Sequence, residues 1–492
     1  MRCLKQATLI LALLGAIVLA GCGNGDTTSQ TTYSSPGCGN NSTTAQTCNE
    51  PYKPKTHLTH RALVSNYYAG ALDVMDATQD RLTTFTFAVG SGPTYLQPSP
   101  DGLLTLVNNT ESNSISSFNN IEEAVKATIQ LGGYTQSFVT STDDESGFAA
   151  VPNVSNGNPP IQQGGIVRFN PTDGSLNTDI PFPYVQYLAL DTAEQHLLAF
   201  TQGAPTTTVC GATVSQDDIA NWVDLTAIDP ATGVPPYYSL CLSGNASTQP
   251  LSRPIAAFFS TNSSNSHPVA YILSCGYECG GTGSASVTEI DTTTITPQTP
   301  NATGSVATAT VLNQWTVNGA RIGLIDTTAN MLYVAGSTMT STAIDCPFAE
   351  LGTPACATTP ADGGNNGGNN VQDGYFTAIN LTTGTVVSST RIGNGVKRWI
   401  RDINGVYWVA SLNCGVESCV SMVTPTSSSA TAAVLANANG DATGISLMFN
   451  SGQVYTIEGG ELYIYNQNGT QFIQQNYNTD IKGQGSDVLY ID

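Results

Sequence analysis

Leu72-Asp-Val-Met-Asp76 decides the fold, because this short strand-like stretch ends in an aspartate, is followed by a turn, and recurs along the chain. The same pattern returns in Ile115-Ser-Ser-Phe-Asn119, Ile166-Val-Arg-Phe-Asn170, Leu225-Thr-Ala-Ile-Asp229, Val287-Thr-Glu-Ile-Asp291, Phe376-Thr-Ala-Ile-Asn380, Leu462-Tyr-Ile-Tyr-Asn466 and, in degraded form, Ser421-Met-Val-Thr424. An Asp or Asn at a strand end hydrogen-bonds nearby backbone and so caps a turn. Such self-similarity indicates a strand-rich repeat, here in eight copies.

A second series of strands precedes these copies, and its last member stands at the end of the chain. The members are residues 95–101, 138–143, 187–191, 255–260, 322–326, 399–402, 445–450 and 487–492. The first repeat begins near Arg61 with no such strand before it, whereas Asp487-Val-Leu-Tyr-Ile-Asp492 is left over at the C-terminus. We therefore expect the last strand to pair into the first repeat, which removes an exposed sheet edge.

With a more apolar strand and a variable fourth strand, each unit is a four-stranded meander. The predicted fold class is all-β, a β-propeller of four-stranded antiparallel blades whose ring is closed by the C-terminal strand. Eight blades are favoured, and seven remain possible if residues 397–437 form an irregular insertion. A helical fold is disfavoured because no segment sustains a period of 3.6 residues.

The first two units resemble a known group of proteins. Leu63-Val-Ser-Asn-Tyr67, Gly90-Ser-Gly-Pro93, Ser99-Pro-Asp-Gly102 and Leu106-Val-Asn-Asn109 are similar to the YVTN-type repeats of the lactonase-like and quinoprotein-like propellers. The resemblance covers residues 60–133 and is only patterned beyond them. It implies a propeller, but it says little about activity, since propellers host many roles.

The N-terminal residues predict export. Arg2 and Lys5 precede an apolar run that is too short for a stable membrane span, and Leu19-Ala-Gly-Cys22 resembles the lipobox of bacterial lipoproteins. By that resemblance Cys22 is the lipidated N-terminus, although an ordinary signal peptide is the alternative. The residue after Cys22 is Gly23, and the absence of an aspartate at this position favours the outer membrane. We expect a signal peptide over residues 1–22, a Ser/Thr/Asn-rich tether over 23–56 and the propeller over 57–492.

Charge and cysteine content agree with an extracytoplasmic protein. The net charge of -21 disfavours nucleic acid and anionic lipid, so membrane contact is expected through the lipid anchor alone. Apart from Cys3 and Cys22, the cysteines form five near-neighbour pairs, namely Cys38/Cys48, Cys210/Cys241, Cys275/Cys279, Cys346/Cys356 and Cys414/Cys419. An even number in an exported chain predicts disulfides, whereas a metal site needs tighter clusters with histidine partners.

The candidate functional site lies on one face of the predicted ring. Insertions fall in the loops between the second and third strands of a unit, over residues 153–163, 202–219, 274–284, 337–373 and 413–418, and four cysteine pairs touch them. Scarce cations stand at or just before inner strands, and with an adjacent aromatic residue they form the candidate ligand-binding set Arg253, Arg321, Lys397, Arg398 and Trp399. Guanidinium groups suit carboxylates, sulfates and acidic sugars. The alternatives are pairing of these cations with aspartates and neutral drift of the loops.

Catalysis has little support in the sequence. No Gly-x-Ser-x-Gly or His-Glu-x-x-His motif occurs, the four histidines are scattered, and the four tryptophans do not form quinoprotein docking motifs. The acidic stretches Asp143-Asp-Glu145 and Asp402-Ile-Asn404 could bind Ca²⁺, but turn capping is the simpler explanation. We therefore expect a monomeric binding scaffold without cofactor or metal, with an unknown small anion, glycan or protein as partner. A lactonase-like or other hydrolase at the channel mouth is the alternative.

Overall fold

A computed structural model describes residues 55–152, 164–244, 251–261, 267–338, 373–412, 418–426, 429–434, 439–449, 451–468, 471–474 and 479–491. The predicted signal peptide, Cys22, most of the tether, Cys38, Cys48, Cys346, Cys356 and Cys414 lie outside these residues. The described chain from Thr56 onward belongs to one unit. It is built of strands, with two short 3₁₀ helices, η1 (Gln216–Asp218) and η2 (Gly276–Cys279), and without an α-helix in the described ranges. No described helix is long and apolar enough to cross a membrane.

The first three sheets are four-stranded and antiparallel. Sheet 1 contains β1 (Arg61–Asn66), β2 (Ala71–Asp76), β3 (Arg81–Ala88) and the last strand, β34 (Gly485–Tyr490). Sheet 2 contains β4 (Pro93–Pro98), β5 (Leu104–Asn109), β6 (Ser114–Asn119) and β7 (Ala124–Gln130). Sheet 3 contains β8 (Ser137–Thr140), β9 (Gly147–Val151), β10 (Gly165–Phe169) and β11 (Ile180–Pro181).

Sheet 4 joins two four-stranded meanders edge to edge. The first contains β12 (Val185–Leu190), β13 (His196–Thr201), β16 (Ala220–Asp224) and β17 (Tyr237–Gly244). The second contains β18 (Pro254–Thr261), β19 (Pro268–Ser274), β20 (Ser286–Pro297) and β21 (Ser305–Thr316). The outer strands β17 and β21 pair in parallel. A separate hairpin, β14 (Thr206–Val209) with β15 (Ala212–Ser215), lies within the loop after β13.

Three more four-stranded sheets complete the described chain. Sheet 5 contains β22 (Ile322–Asp326), β23 (Met331–Thr338), β24 (Asp373–Asn380) and β25 (Thr385–Ile392). Sheet 6 contains β26 (Val396–Arg401), β27 (Tyr407–Ser411), β28 (Val420–Pro425) and β29 (Ala430–Val434). Sheet 7 contains β30 (Ala442–Met448), β31 (Gln453–Glu458), β32 (Glu461–Asn468) and β33 (Gln471–Gln474).

The predicted partner of the last strand is present in the structure. β34 pairs antiparallel with β1, with Leu489 opposite Leu63 and Val488 opposite Val64. The pairing follows from burial, because every residue of β1 is buried and an open edge there would expose backbone hydrogen-bonding groups. Sheet 1 is thus built from both ends of the described chain.

The first strand of each meander, including β34 in sheet 1, is called an inner strand. Inner strands of successive sheets contact one another, as β34 does with β4 and β30. We call the side on which inner strands begin the upper face, and the side on which they end the lower face. The apolar core lies between adjacent sheets: Val64 and Met75 of sheet 1 pack with Ile457 and Ile464 of sheet 7. This two-sided packing explains why the middle strands read as nearly continuous apolar runs.

One predicted strand is misplaced by a few residues. The sequence pattern put a strand over residues 225–229, but the strand is β16, Ala220–Asp224, and residues 225–229 lie outside any strand. Asp224 and Asp229 each cap a turn, through hydrogen bonds from the backbone N–H groups of Thr226 (2.9 Å) and Ala231 (2.8 Å). Two Asx caps five residues apart produce the same sequence signal. The prediction placed the strand before the second cap, whereas it ends at the first.

Candidate functional site

The predicted cations all lie on the upper face, at or next to the starts of inner strands. Arg253 precedes β18, Arg321 precedes β22, and Lys397 and Arg398 lie near the start of β26. Each of the three arginines faces a carboxylate, as the alternative interpretation of the sequence expected. The arrangement differs from that expectation in one respect, because two of the three acids come from loops of the neighbouring meander.

Arg253 contacts two acids in the loop after β13, which a disulfide ties to β17. Its guanidinium forms an ion pair with Asp217, and its backbone N–H donates to the Asp218 carboxylate (2.9 Å). Both acids belong to η1, and the loop that carries η1 is tied to β17 by the disulfide Cys210–Cys241. The loop therefore places acids beside the residue that immediately precedes the next meander.

Arg321 repeats this arrangement one meander further on. Its Nη1 lies 3.6 Å from Oε1 of Glu278, whose side chain is buried. Glu278 belongs to η2, which the disulfide Cys275–Cys279 closes, and its Oε2 accepts a hydrogen bond from the Ser337 backbone N–H (2.8 Å). Both of these disulfides, for which both cysteines are described, thus sit in loops that hold an arginine of the following inner strand.

The predicted pair Cys414–Cys419 is described at one end only. Cys419 is buried immediately before β28 and is disulfide-bonded, but Cys414 lies outside the described residues. The Cys419 Sγ atom lies 4.0 Å from Oδ1 of Asp441, near the start of β30. The pairing Cys414–Cys419 therefore stays a prediction, whereas Cys210–Cys241 and Cys275–Cys279 are confirmed.

Arg398 reaches across sheet 7 to the last strand of the chain. It forms an ion pair with the fully buried Asp487, and its Nη2 donates to the Leu96 carbonyl oxygen (2.9 Å). The Leu96 N–H in turn donates to Oδ2 of Asp487 (2.7 Å). The guanidinium lies 4.7 Å from the centre of the Tyr95 ring. Burial works against the charge, but the carboxylate of Asp487 holds the pKa of Arg398 above its usual value.

A glycine makes this crossing possible. A Cβ at Gly444 in β30 would lie 2.7 Å from both Cα and Oδ1 of Asp487. Any larger side chain at this position would displace the strand that carries the carboxylate. Gly444 is therefore required for close approach of two inner strands, not for a special backbone conformation.

Trp399 does not belong to this polar group. Its ring packs against Phe376 and Tyr407, with centroid distances of 5.6 and 5.5 Å, at the apolar contact between sheets 5 and 6. Trp408 is fully buried, and its Nε1 donates to Oδ2 of Asp402 (3.2 Å). The candidate role of Trp399 in ligand binding is thus not matched by its position, because the ring fills the core.

Lys397 lines a pocket on the upper face, which we call the upper pocket. The pocket has a volume of about 210 Å³ and lies among the ends of sheets 1, 2, 6 and 7. Its lining residues are Tyr67, Thr94, Lys397, Asp441, Thr443, Gly459, Gly460, Gln484, Gly485 and Ser486. Lys397 is half-buried, and among the residues that the structure describes no hydrogen bond or ion pair engages its ammonium group.

Burial and the neighbouring cations lower the pKa of Lys397. Burial lowers its pKa to about 8, and the neighbouring Arg321 and Arg398 act in the same direction, while Asp487 and Asp441 oppose them. At neutral pH the amine is still largely protonated. The upper pocket therefore contains a positive charge that lacks a direct counter-ion among the described residues.

The lower face has a wider cavity of different character. It measures about 620 Å³ and is lined by Gln97, Pro98, Ser99, Pro100, Val139, Thr140, Leu188, Ala189, Leu190, Ala256, Ala257 and Phe258. No charged side chain is among these lining residues. The two cavities thus differ, because Lys397 and Asp441 line the upper pocket and no charged side chain lines the lower one.

The acidic turns considered for calcium are capped by their own backbone. Asp143 accepts a hydrogen bond from the Glu145 N–H (3.0 Å), and Asp402 accepts one from the Asn404 N–H (2.8 Å). No group of three or more metal-ligating side chains occurs in the described parts of the chain. Among the histidines, His196 pairs with Asp191 (2.9 Å) and lies outside the upper pocket.

Comparison with known proteins bears on the fold alone. No family model matches the chain, and no curated protein is similar to it in sequence. The solved structure of the dihydro-heme d1 dehydrogenase NirN shares 9% identity over 89% of this chain and 77% of that one, with a TM-score of 0.55. The Dos1 propeller has 9% identity, coverage of 81% and 86%, and a TM-score of 0.49. A putative 6-phosphogluconolactonase from Bacteroides fragilis has 12% identity, coverage of 88% and 98%, and a TM-score of 0.44.

The fold is a β-propeller. At these identities the likeness concerns the fold alone, because propellers carry unrelated activities on the same frame. The meanders described above are its blades, and the inner strands line its centre. Nothing in the comparison transfers a site residue to this chain.

Sequence reasoning found the cations of this propeller but missed their partners. Asp217, Glu278 and Asp487 did not stand out, because acids are abundant and each partner is distant in sequence from its arginine. One signal was available for Glu278, which lies between two cysteines four residues apart. Asp441, Thr443 and Gln484 join the upper pocket only through the tertiary arrangement of blades.

Proposed function

We propose that this chain is an exported, lipid-anchored β-propeller that binds a ligand at the upper face without transforming it. The observation that carries the proposal is the upper pocket, where the ammonium group of Lys397 lies half-buried without a direct counter-ion among the described residues. Isolated buried charges are costly unless they are paired. A ligand that supplies a hydrogen-bond acceptor would offset this cost. The unpaired charge therefore supports a ligand-binding site at this position.

The neighbouring arginines support a binding site that is rigid before the ligand arrives. Arg321 and Arg398 are each fixed by a buried acid, and the acid that holds Arg321 lies in a loop closed by a disulfide. Groups locked by such supporting contacts lose little entropy on binding. The built-up loops of the upper face then serve to hold the rim of the site in place.

The ring itself is part of the proposal. Counting the two meanders of sheet 4 separately gives eight blades, and β34 supplies the inner strand of the first one. Removing residues 485–492 should abolish cooperative unfolding, because it exposes the whole of β1 and deletes Asp487. A truncated protein that retains the unfolding transition of the intact chain would contradict ring closure by β34.

Export and lipidation are proposed from Cys22 and are supported by the two described disulfides, which persist in oxidising compartments. We expect bacterial cell envelope localisation, at the outer membrane. The Cys22→Ser variant should lose the acyl mass and leave the membrane fraction, and mass spectrometry and fractionation would measure both. A variant that remains membrane-bound would show that another element anchors the chain.

Ligand binding is tested by thermal shift of the full chain against a library of small acids, neutral sugars, amines and glycans. Stabilisation by one class, reduced in Lys397→Met but not in Lys126→Met, is the expected result. Lys126 is a suitable control because it lies on the outer strand β7 and pairs with Glu122. A library without any stabilising compound would overturn the proposal.

A hydrolase remains the second candidate because Lys397 and Asp441 line the same pocket. An acid and an amine with a lowered pKa are groups that general acid–base chemistry uses. Incubating the full chain with lactones and measuring the release of hydrolysed product distinguishes the two functions. Turnover that is lost in Asp441→Asn would favour the hydrolase, whereas binding without turnover favours the scaffold.

A further inference from the structure

The upper pocket contains more hydrogen-bonding capacity than the described chain satisfies. The Lys397 ammonium has no hydrogen-bond partner in the described residues. The hydroxyl of Thr443 is buried and likewise makes no hydrogen bond there. The carboxamide of Gln484, also on the pocket wall, has no hydrogen bond to a described residue, although its backbone carbonyl accepts from Tyr67 N–H. Lys397 and Gln484 therefore place donor groups without a described partner on the pocket wall, and an unsatisfied hydroxyl of the lining residue Thr443 is buried.

The charges facing Lys397 select the sign of the ligand. Arg321 and Arg398 contribute positive charge, Asp487 is already engaged by Arg398, and Asp441 lies on the pocket wall. Of the other titratable groups, Tyr67 lines the pocket, and its pKa is raised by burial and by Glu111. The ammonium is the cation without a contact partner in the described chain, so an anionic oxygen is the complement it requires.

Asp441 adds a second requirement. An inert inorganic anion would be repelled by this carboxylate, whereas a ligand with a hydroxyl group next to its own carboxylate can donate to it. Carboxylates accept hydrogen bonds only, and hydroxyls can donate as well as accept. The donors of Lys397 and Gln484 suit the carboxylate and ring oxygens of the same ligand.

We propose that the upper pocket binds a small hydroxycarboxylate, with its carboxylate at Lys397 and a hydroxyl at Asp441. This inference rests on the proposed function and narrows its ligand class. The volume of about 210 Å³ equals the share of about seven liquid water molecules, which suits one sugar-acid residue and excludes a folded protein segment. The ligand is either a free acid or the acidic end residue of a glycan, and both present the same group.

The experiment uses the full chain in detergent and measures binding of glucuronate by calorimetry at pH 7. Glucose serves as the uncharged probe of similar size, and a short glucuronate-terminated oligosaccharide tests the glycan source. Lys397→Met should weaken glucuronate binding at least tenfold, while Lys126→Met should leave it unchanged. Glucose should not bind measurably.

Charge and stability readouts separate binding from a structural role. Because the pKa of Lys397 is lowered to about 8, glucuronate affinity should fall about tenfold between pH 7 and pH 9 in the native chain. Lys397→Met should lose this pH dependence and should raise the melting temperature, because it removes a half-buried charge without a partner. A lower melting temperature in that variant would indicate a structural lysine and would overturn the inference.

The remaining outcomes are distinguishable from failure of the proposed function. Glucuronate binding that persists in Lys397→Met would place the site elsewhere, and tighter binding of alanine than of glucuronate would assign the pocket to amino acids. Either result overturns the hydroxycarboxylate while ligand binding stands. If no compound of any class binds, the proposed function fails as well. Tighter binding of the oligosaccharide than of free glucuronate assigns the glycan as the source.

Discussion

Neighbouring blades of this propeller contact each other differently on the upper face and in the tight turns of the lower face. On the upper face, Arg253, Arg321 and Arg398 pair with acids of other blades, and two of the three acids sit in disulfide-closed loops. On the lower face, acidic residues with positive φ in tight turns reach a neighbouring blade. Glu194 accepts a hydrogen bond from the Thr142 N–H (2.5 Å), and Asp80 accepts one from Gln453 Nε2 (3.0 Å).

The difference follows from a shortage of cations. The chain has 15 Lys and Arg against 36 Asp and Glu, so most acids have no basic partner. Of these turn acids Glu123 meets an arginine, Arg61 (2.8 Å), whereas Asp80 and Glu194 accept from neutral donors. A further ion pair of the lower face joins Arg401, at the end of β26, to Asp326, at the end of β22 (3.0 Å). The upper face uses three of its cations, Arg253, Arg321 and Arg398, for contacts between blades.

One lower-face contact depends on a proton. Asp144 lies beside Asp101, and burial together with the hydrogen bond to Asp101 raises its pKa to about 6. Two carboxyl groups in contact cannot both be ionised cheaply, so the pair shares a proton. Burial opposes the change, but hydrogen bonds from Ser99 and Leu103 hold the pKa of Asp101 below its usual value. We therefore assign the proton to Asp144.

The largest expected effect is on the upper face, in the variant Arg398→Met. It leaves Asp487 fully buried without its counter-ion, which should lower the free energy of unfolding by about 3–5 kcal/mol. Urea unfolding followed by fluorescence measures it. The Arg398→Met, Asp487→Leu double variant should recover much of the loss. An effect below about 1 kcal/mol would mean that the two faces are not held by different forces.

The second prediction concerns the longer disulfide of the upper face. Replacing both Cys210 and Cys241 by Ser opens a loop of 31 residues and should cost about 2–4 kcal/mol. Replacing Cys275 and Cys279, only four residues apart, should cost less. Thermal unfolding under non-reducing conditions compares the two double variants, and the reverse order would contradict the loop-length argument.

The third prediction sharpens the role of the proton on the lower face. The raised pKa of Asp144 means that its contribution to stability is complete below about pH 4 and is lost as pH rises through 6. Asp144→Asn should therefore match the native chain at pH 4 and exceed it by about 1 kcal/mol at pH 7, after allowance for solvent screening. Asn also tolerates the positive φ of 56° at this position. Urea midpoints at the two pH values measure the difference, and equal midpoints at pH 7 would exclude the shared proton.

The smallest effect is expected for Glu194→Gln. The contact of Glu194 with Thr142 N–H is exposed, and the amide oxygen of glutamine can still accept the hydrogen bond. The free energy of unfolding should change by no more than about 0.5 kcal/mol, as measured by urea unfolding at pH 7. A loss above about 1 kcal/mol would show that lower-face turns depend on full charge, as the upper face does.

The amino-acid sequence by itself determined the repeated meander and the pairing of its last strand. A strand period of two, Asx residues at strand ends and an unmatched terminal strand are local features, so they can be read without knowing distances in space. The shift to Ala220–Asp224 shows the limit, because two Asx turns in succession give the same local signal. The positions of the cations at the starts of inner strands were predicted for the same reason.

Only the tertiary structure decided what those cations do. Arg398 and Asp487 are 89 residues apart, and their contact depends on Gly444 in a third strand. The upper pocket likewise combines residues from four sheets. Trp399 was included in the candidate ligand-binding set because it adjoins Arg398 in sequence, although its ring packs against the core between sheets 5 and 6. Electrostatic pairing and burial depend on distances across blades, and sequence patterns within one blade contain no information on those distances.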